Sequence, residues 1–374
     1  AVKAAYATGG SREFDAEFMS RVYEQGFTVE IVDYAKVPQA FEKTEKVGGH
    51  LDGCRIGFDA GGSDRKVAAV MNGQVLFSDE TVWHPKVTED PDYHFAGIMD
   101  SVKRAAEHLP RVDAIGVSSA GIFINNRTMI ASLFLRVPQD LFDAKIKDIY
   151  CRVAKEFGNV PIEVRNDGDV TALSGAASLQ DINILGIAMG TSQAVGYVGA
   201  DGHLTGWLNE LAFMPVDYNP QAMVDEWSGD YGCGVKYFSQ DAVIKLAPAG
   251  DIHLDEKLTP AEKLSAVQEL LEEGHLGAQR IFENMGYYLG YAIGHYADFY
   301  DIKHLLILGR VTSGRGGILI LEKAREVLNA EFPELAKIAF HLPDESDRRV
   351  GQAITAAGLT AIDSLEKGQF NPIG

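Results

Sequence analysis

Two stretches of this chain carry chemistry of the same kind. Residues 55–76 read RIGFDAGGSDRKVAAVMNGQVL. An apolar run (Ile56, Phe58) reaches Asp59, a turn follows at Gly61-Gly62-Ser63, and VAAV leads to Asn72-Gly73 and a third run. The pattern predicts strand, glycine turn, strand, Asn-Gly hairpin, strand. Residues without side chains at the first turn let backbone N–H groups come close to a ligand. An acid before that turn, with Ser63 and Lys66 after it, suits a phosphate held through a metal ion. An ordinary glycine-rich hairpin would look the same.

A second copy favours the ligand. Residues 184–204 read ILGIAMGTSQAVGYVGADGHL: an apolar run, Gly190-Thr191-Ser192, a second run, and Asp201-Gly202 closing the hairpin. From Gly62 to Gly73 is 11 residues; from Gly190 to Gly202 is 12. Repetition of the unit about a third of the chain away predicts a duplicated architecture. Two hydroxyl-bearing turns facing each other across a cleft would hold the phosphates of a nucleotide from both sides.

Between the two lies a candidate base. Val160–Val164 predicts a strand that runs into Arg165-Asn166-Asp167-Gly168-Asp169, and VTALSGAASL opens a helix. The plain reading is a strand-end turn with Asp as helix N-cap. The functional reading is a carboxylate facing the cleft, able to accept a hydroxyl proton. Glu210, between apolar neighbours in GWLNELAFMPVD, reads either as a partly exposed strand residue or as a ligand for substrate hydroxyls.

Other elements must position these groups. Helices are predicted at 95–108, 140–158, 259–274 and 277–298, with another from Ser239. Strands are predicted at Val112–Ser118, ending in the small-residue loop Ser119-Ala120-Gly121, and at His304–Leu308, ending in a loop with Gly309, Gly314, Gly316 and Gly317. Loops at the carboxyl ends of strands are where α/β proteins usually bind ligands. Strand–helix–strand order implies parallel pairing. Gly286, Gly290 and Gly294 make one smooth face on the 277–298 helix, which implies a close-packed neighbour. A small-residue-rich helix ends the pattern at 348–365. Upstream, 11–25 predicts a helix capped by Ser11, with Phe14, Phe18 and Val22 at helical spacing. FTVEIVDY (27–34) predicts a strand, and 36–53 a linker.

The chain as a whole sets limits. Its 374 residues suffice for two cores, and 46% hydrophobic with 23% charged residues is globular composition. A net charge of −19 works against nucleic acid and anionic membrane as partners. Three dispersed cysteines (Cys54, Cys151, Cys233) form no C-x-x-C pair and suggest a reducing compartment. No run approaches the ~20 apolar residues of a membrane span, and the opening residues do not read as a signal peptide. A cytoplasmic protein is the expectation.

Taken in order, these motifs resemble the ROK family of sugar kinases, in the actin/hexokinase superfamily. The resemblance covers roughly residues 54–364. GFDAGGSDRK is similar to the family's first phosphate loop, D-x-G-G-[ST]-x-x-K, and VRNDGDVTALSGAA to its E-N-D-A-N-x-A-A-L-G motif. MGTSQAVGYVGADGHLTGWLNELAF resembles the second phosphate loop with the G-x-x-G-E-I-G-H segment, and LLILGRVTSG the adenosine-side strand and loop.

The resemblance implies an α/β, two-domain actin-like (ribonuclease H-like) ATPase fold with duplicated mixed sheets, flanking helices and an interdomain cleft. The expected division is an N-terminal extension over 1–49, a first domain over 50–165 with the terminal helix at about 348–366, and a second over 166–347. Implied roles are Asp167 as base and Asn166 and Glu210 on the sugar. Gly61, Gly62, Ser63, Lys66, Gly190, Thr191, Ser192 and Gly309 would lie on the nucleotide, and Asp59 on Mg²⁺ through water. The implied activity is phosphorylation of a sugar or polyol by ATP, with polyphosphate as the other donor class and a homodimer as the family expectation.

Departures from the family pattern mark this chain. Many members hold zinc with one His and three Cys; here Phe213 stands at the His position, Glu226 and Ser228 near the first two Cys positions, and only Cys233 matches. One Cys cannot close a tetrahedral site, so no structural zinc is expected. Val235 replaces a sugar-binding Glu, and Arg165 replaces the Glu before Asn-Asp. GTSQAVG has fewer glycines than the usual G-T-G-x-G-G-G, and Gln193 is expected to crowd the phosphates. A sensor that binds without phosphorylating, or a kinase of a non-sugar acceptor, are the alternatives.

Overall fold

The computed structural model describes residues 1–40, 44–343 and 345–362. A one-turn helix α1 (Val2–Ala5) and α2 (Glu13–Val22) open it. Then come β1 (Cys54–Ala60), β2 (Asp64–Met71), β3 (Gln74–Val82), α3 (Pro91–Ala106) and β4 (Ala114–Ser119). A hairpin of β5 (Ile122–Ile124) and β6 (Arg127–Ile130) leads to α4 (Gln139–Leu141), a π-helical turn over Phe142–Ile146, and α5 (Ile149–Glu156). β7 (Ile162–Asn166) runs directly into α6 (Asp167–Leu179), followed by β8 (Ile184–Met189) and β9 (Gln193–Val198). After a long irregular stretch come α7 (Gln240–Leu246), α8 (Pro260–Glu272) and α9 (Leu276–Tyr296). β10 (His304–Leu308), α10 (Arg315–Glu331), β11 (Ala339–His341) and α11 (Glu345–Ala357) follow.

The strands form two mixed sheets of matching topology. The first has the order β3-β2-β1-β4-β7 and the second β11-β10-β8-β9. In the first, β1 pairs antiparallel with β2 and parallel with β4, which pairs parallel with β7. In the second, β8 pairs antiparallel with β9 and parallel with β10, which pairs parallel with β11. The duplication expected from the glycine turns is therefore present in the strand order. Only the third strand differs: β3 is complete, whereas Leu204 makes a single bridge to Val198. The central strands β1, β4 and β8 are buried along their whole length, as continuous apolar runs require when both faces are covered.

Glycines let helices lie on these strands. A β-carbon at Gly57 would sit 1.7 Å from Ala353 O, and one at Gly116 the same distance from Ala356 O, so α11 rests directly on β1 and β4. In the second sheet a β-carbon at Gly196 would meet Gly168 O at 2.2 Å, so α6 rests on β9 in the same manner. Gly290 faces Val327 and Gly294 faces Phe332, which makes α10 and the residue after it the neighbours expected for the α9 glycine face.

Several local expectations are corrected. FTVEIVDY forms no strand: Ile31 is 89% and Tyr34 94% exposed, and without a neighbouring strand an apolar run has no ladder to join. α2 starts at Glu13 with Arg12 as N-cap, so Ser11 caps nothing. The 140–158 helix is broken by the π turn. The terminal helix ends at Ala357; the last residues assigned to it, 363–366, lie outside the described residues. The β5–β6 hairpin and β11 have no sequence signal strong enough to predict them, being three or four residues long.

Candidate active site

β1, β4 and β7 are parallel and finish side by side, with Asp59 opposite Ser118 and Ser119 opposite Asn166. Their carboxyl ends open on a cavity of about 900 Å³ between the two sheets. The lining includes Asp59, Gly61, Gly62, Ser63 and Lys66 from the first turn, and Gly190, Thr191 and Ser192 from the second. Asn166, Asp167, Glu210 and Gly309 line it as well. All the residues to which the resemblance gives a role therefore meet in one place, whereas Gly314, Gly316 and Gly317 of the loop after β10 do not line the cavity.

The turns face each other. A β-carbon at Gly62 would lie 3.4 Å from Thr191 Oγ1 and 2.9 Å from Lys86 Cε. One at Gly190 would find nothing nearer than Ser192 O at 3.9 Å. Among the described residues no neighbour accounts for that glycine, and an open backbone beside a cavity suits a close-approaching ligand. Gly309 is different: its φ of +108° and a β-carbon 2.4 Å from Met189 O leave glycine no substitute. Gln193 lines the cavity next to Thr191 and Ser192; it is 5% exposed, with Oε1 lying against Gly234.

The N-terminus of α6 sets the acid groups. Asn166, not Asp167, is the N-cap: its Oδ1 accepts from Gly168 N at 2.8 Å, and its Nδ2 donates to Gly121 O at 2.8 Å. Asp167 is the first helical residue, with its backbone carbonyl held by Gln352 Nε2 at 3.2 Å and Thr171 Oγ1 at 2.8 Å. Gly168 packs on Val195, which brings this helix end against the second turn. The Asp167 carboxylate Oδ1 is shut off from solvent and has no hydrogen-bond partner. Burial, then the charge of Asp59, push its pKa up to about 7, against its own helix-end amides and Lys86. A carboxylate poised near neutrality suits a general base.

Asp59 is itself buried, accepts from Ser118 Oγ at 2.8 Å, and is raised chiefly by burial against the pull of Lys66. Asn209 has a left-handed φ of 53°, which turns the chain before Glu210. Glu210 is pushed up to about 7 by burial and by Asp167 and Asp169. The structure does not put it on a strand; it precedes the short 3-10 turn Leu211–Phe213.

Several cavity residues have no role in the sequence reading, although Arg310 lies within the LLILGRVTSG motif. Lys86 reaches over Gly62 from the short Pro85–Val87 turn; burial lowers its pKa, while Asp241 and Asp167 hold it up. Arg310, Asp241 and Gln352 come from three separate elements, and Phe18 from the N-terminal α2. Phe18 lay in a helix predicted from its spacing, but nothing local connected that helix to the cleft.

Among the described residues no group of three or more His, Cys, Asp or Glu is arranged to hold a metal ion. Mg²⁺ commonly uses one or two carboxylates together with phosphate oxygens and water, so Asp59 beside the glycine turns fits an ion that arrives with a nucleotide. Where the family places zinc ligands, Phe213 packs on Trp227 with ring centroids 5.6 Å apart, and Cys233 is buried and unpaired.

Two mixed sheets flanked by helices, with strand ends and glycine turns opening on a shared cleft, define a protein of the actin/hexokinase fold class. The family model for "ROK family" matches residues 55–353. The chain belongs to the ROK family. A ROK family glucokinase from Streptomyces griseus, solved with glucose and AMPPNP, is 19% identical, with a TM-score of 0.63 covering 82% of this chain and 98% of that one. The ROK hexokinase from Thermus thermophilus gives 17% identity, a TM-score of 0.61, and coverage of 81% and 96%. A ROK family transcriptional regulator, homolog of the E. coli MLC protein, gives 18%, 0.62, 82% and 78%. At these identities the likeness is one of fold. No curated protein matches by sequence. Among the described residues no helix is long and apolar enough to cross a membrane.

Proposed function

We propose that this protein transfers a phosphoryl group from ATP to a hydroxyl of a sugar or sugar-like polyol. One observation carries the reading: two hydroxyl-bearing glycine turns and the carboxylate of Asp167 line the same cavity. Phosphoryl transfer needs positioning, charge neutralisation and a proton acceptor, with little covalent chemistry from the protein. Ser63, Thr191, Ser192 and the amides of their turns would hold phosphate oxygens, and Lys66 and Lys86 would offset charge. Mg²⁺, held through Asp59 and water, would supply further neutralisation when bound. Asn166 and Glu210 would orient the acceptor, and the Asp167 carboxylate would accept its proton. Closing the two halves would keep water from the donor phosphate. Such an enzyme works in the cytoplasm, on small molecules.

The alternative, a domain that binds sugar without phosphorylating, is favoured by the altered second turn and by the regulator among the fold neighbours. An ATP-consumption assay across hexoses, amino sugars and polyols separates the two. Sugar-dependent turnover is expected; sugar binding with no turnover for any acceptor would overturn the kinase reading.

A further inference from the structure

The acceptor end of the cavity is walled by apolar side chains, and part of the wall comes from outside the family-matched region. Asn166 Nδ2 reaches Gly121 O, so the next residue, Ile122, stands beside the acceptor groups. Ile122 packs with Ile130 and Val22, and against Phe18 and Leu208. Phe18 meets Phe213 with centroids 6.1 Å apart and Trp227 at 5.7 Å. Phe213 N in turn donates to Glu210 O at 3.1 Å, which returns the wall to the acceptor carboxylate. Trp227 is 43% exposed although it lines the cavity.

The N-terminal helix is clamped in this position from both sides. Arg12 pairs with Asp230 at 3.0 Å, in the second half of the chain. Glu24 pairs with Arg127 and Lys147 at 3.0 and 2.8 Å, in the first half. Phe18 is thus a fixed part of the wall, and its neighbours are rings where a zinc motif would put polar ligands.

A pocket for a bare sugar must meet every desolvated hydroxyl with a hydrogen-bonding partner, because unpaired polar groups are penalised on burial. The charged groups on this wall are already engaged: Asp225 and Lys236, which also line the cavity, pair with each other at 3.4 Å. Asn166 already spends one bond from each end of its amide on the protein, and Val235 stands in the lining. We propose that the ligand is a sugar or polyol bearing an apolar substituent, aryl or alkyl. Its hydroxyl would face Asp167, and its substituent would sit on Phe18, Phe213 and Trp227. The inference rests on the acceptor-site reading above and names the class of compound that site takes.

The test is calorimetric titration of the full chain, with Mg²⁺ and AMPPNP, using methyl and phenyl glycosides of glucose, mannose and N-acetylglucosamine. For at least one sugar the phenyl glycoside should bind about tenfold or more tighter than the methyl glycoside, the discrimination an apolar pocket provides. Phe18→Ala should erase that preference and Phe18→Leu should keep most of it; Trp227→Ala serves as an independent second variant. Equal affinity for both glycosides, no binding of either, or a preference that survives Phe18→Ala and Trp227→Ala would overturn the proposal. An ATP-consumption assay on the same compounds separates the two readings. Selective binding of phenyl glycosides without turnover would remove the kinase reading and leave the apolar seat standing. Turnover of methyl and phenyl glycosides with equal kcat/KM would do the reverse.

Discussion

Arg310, on the loop after β10, donates to the carboxylate of Asp64 at the far side of the first glycine turn. Two segments 246 residues apart thereby close on each other beside the first glycine turn. Asp64 is almost fully buried and also faces Lys66 Nζ at 3.4 Å, whereas the guanidinium is half exposed. A triphosphate entering between the turns would compete with Asp64 for both cations. Arg310→Ala is expected to raise the KM for nucleotide by up to about fivefold, the scale of an exposed charge pair, and to leave the acceptor KM alone. Steady-state kinetics with each substrate varied in turn checks this. An unchanged nucleotide KM would detach Arg310 from the donor site.

Asp167→Asn keeps the shape of the α6 terminus and removes the proton acceptor. It is expected to lower kcat by about 10²–10⁴, the usual range for a lost general base. Nucleotide affinity, read by titration with AMPPNP, should stay within about twofold. Full activity in this variant would remove Asp167 from the chemistry.

The pH dependence follows from burial. With the Asp167 pKa pushed up to about 7, the base is protonated in mild acid, and kcat/KM should fall tenfold per pH unit below about 7. Stability should move the other way. Asp167, Asp169 and Glu210 all have raised folded-state pKa values, so between about 4 and 7 the folded chain binds more protons than the unfolded one. Their contribution to stability is therefore present at low pH and is lost as pH rises through about 7. Thermal melts across this window should show a smaller decline in Asp169→Asn than in the unmodified protein. An equal decline in both would contradict the assignment for Asp169.

Lys86 both covers Gly62 and acts on Asp167. Lys86→Met should lower kcat, since a charge next to the phosphates is lost. It should also shift the acid limb of the pH–rate profile to higher pH, because the cation holds the Asp167 pKa down. A lower kcat with an unmoved limb would leave Lys86 acting on the phosphates alone and refute its coupling to Asp167.

The α9–α10 contact has no room for a side chain at Gly290, where a β-carbon would lie 2.5 Å from Val327 Cβ and 3.0 Å from Ala324 O. Gly290→Val should therefore destabilise by about 1–3 kcal/mol despite its better helix propensity. Urea unfolding measures it; a stability equal to that of the unmodified chain would mean the helices separate freely.

Local chemistry was legible where the backbone imposes it. A strand that must end, a turn that must be narrow and a helix that must be capped leave their residue types in order along the chain. Asp59, the turns at Gly62 and Gly190, and Asn166-Asp167 could for that reason be read directly, and so could the repeated sheet. FTVEIVDY shows the limit: its composition suits a strand, but a strand exists only if another edge is there to receive it. Lys86, Arg310, Gln352 and Phe18 show the same limit at the site. Each approaches the cleft from a different element, and residues 1–49 gave no sign that they would cross it. Distance between side chains depends on how sheets and helices stack, and stacking is settled by burial and shape across the whole molecule. Types, order and turn geometry were thus written in the chain, while the meeting of Asp167 with Lys86 and of Phe18 with Trp227 came only with the packed fold.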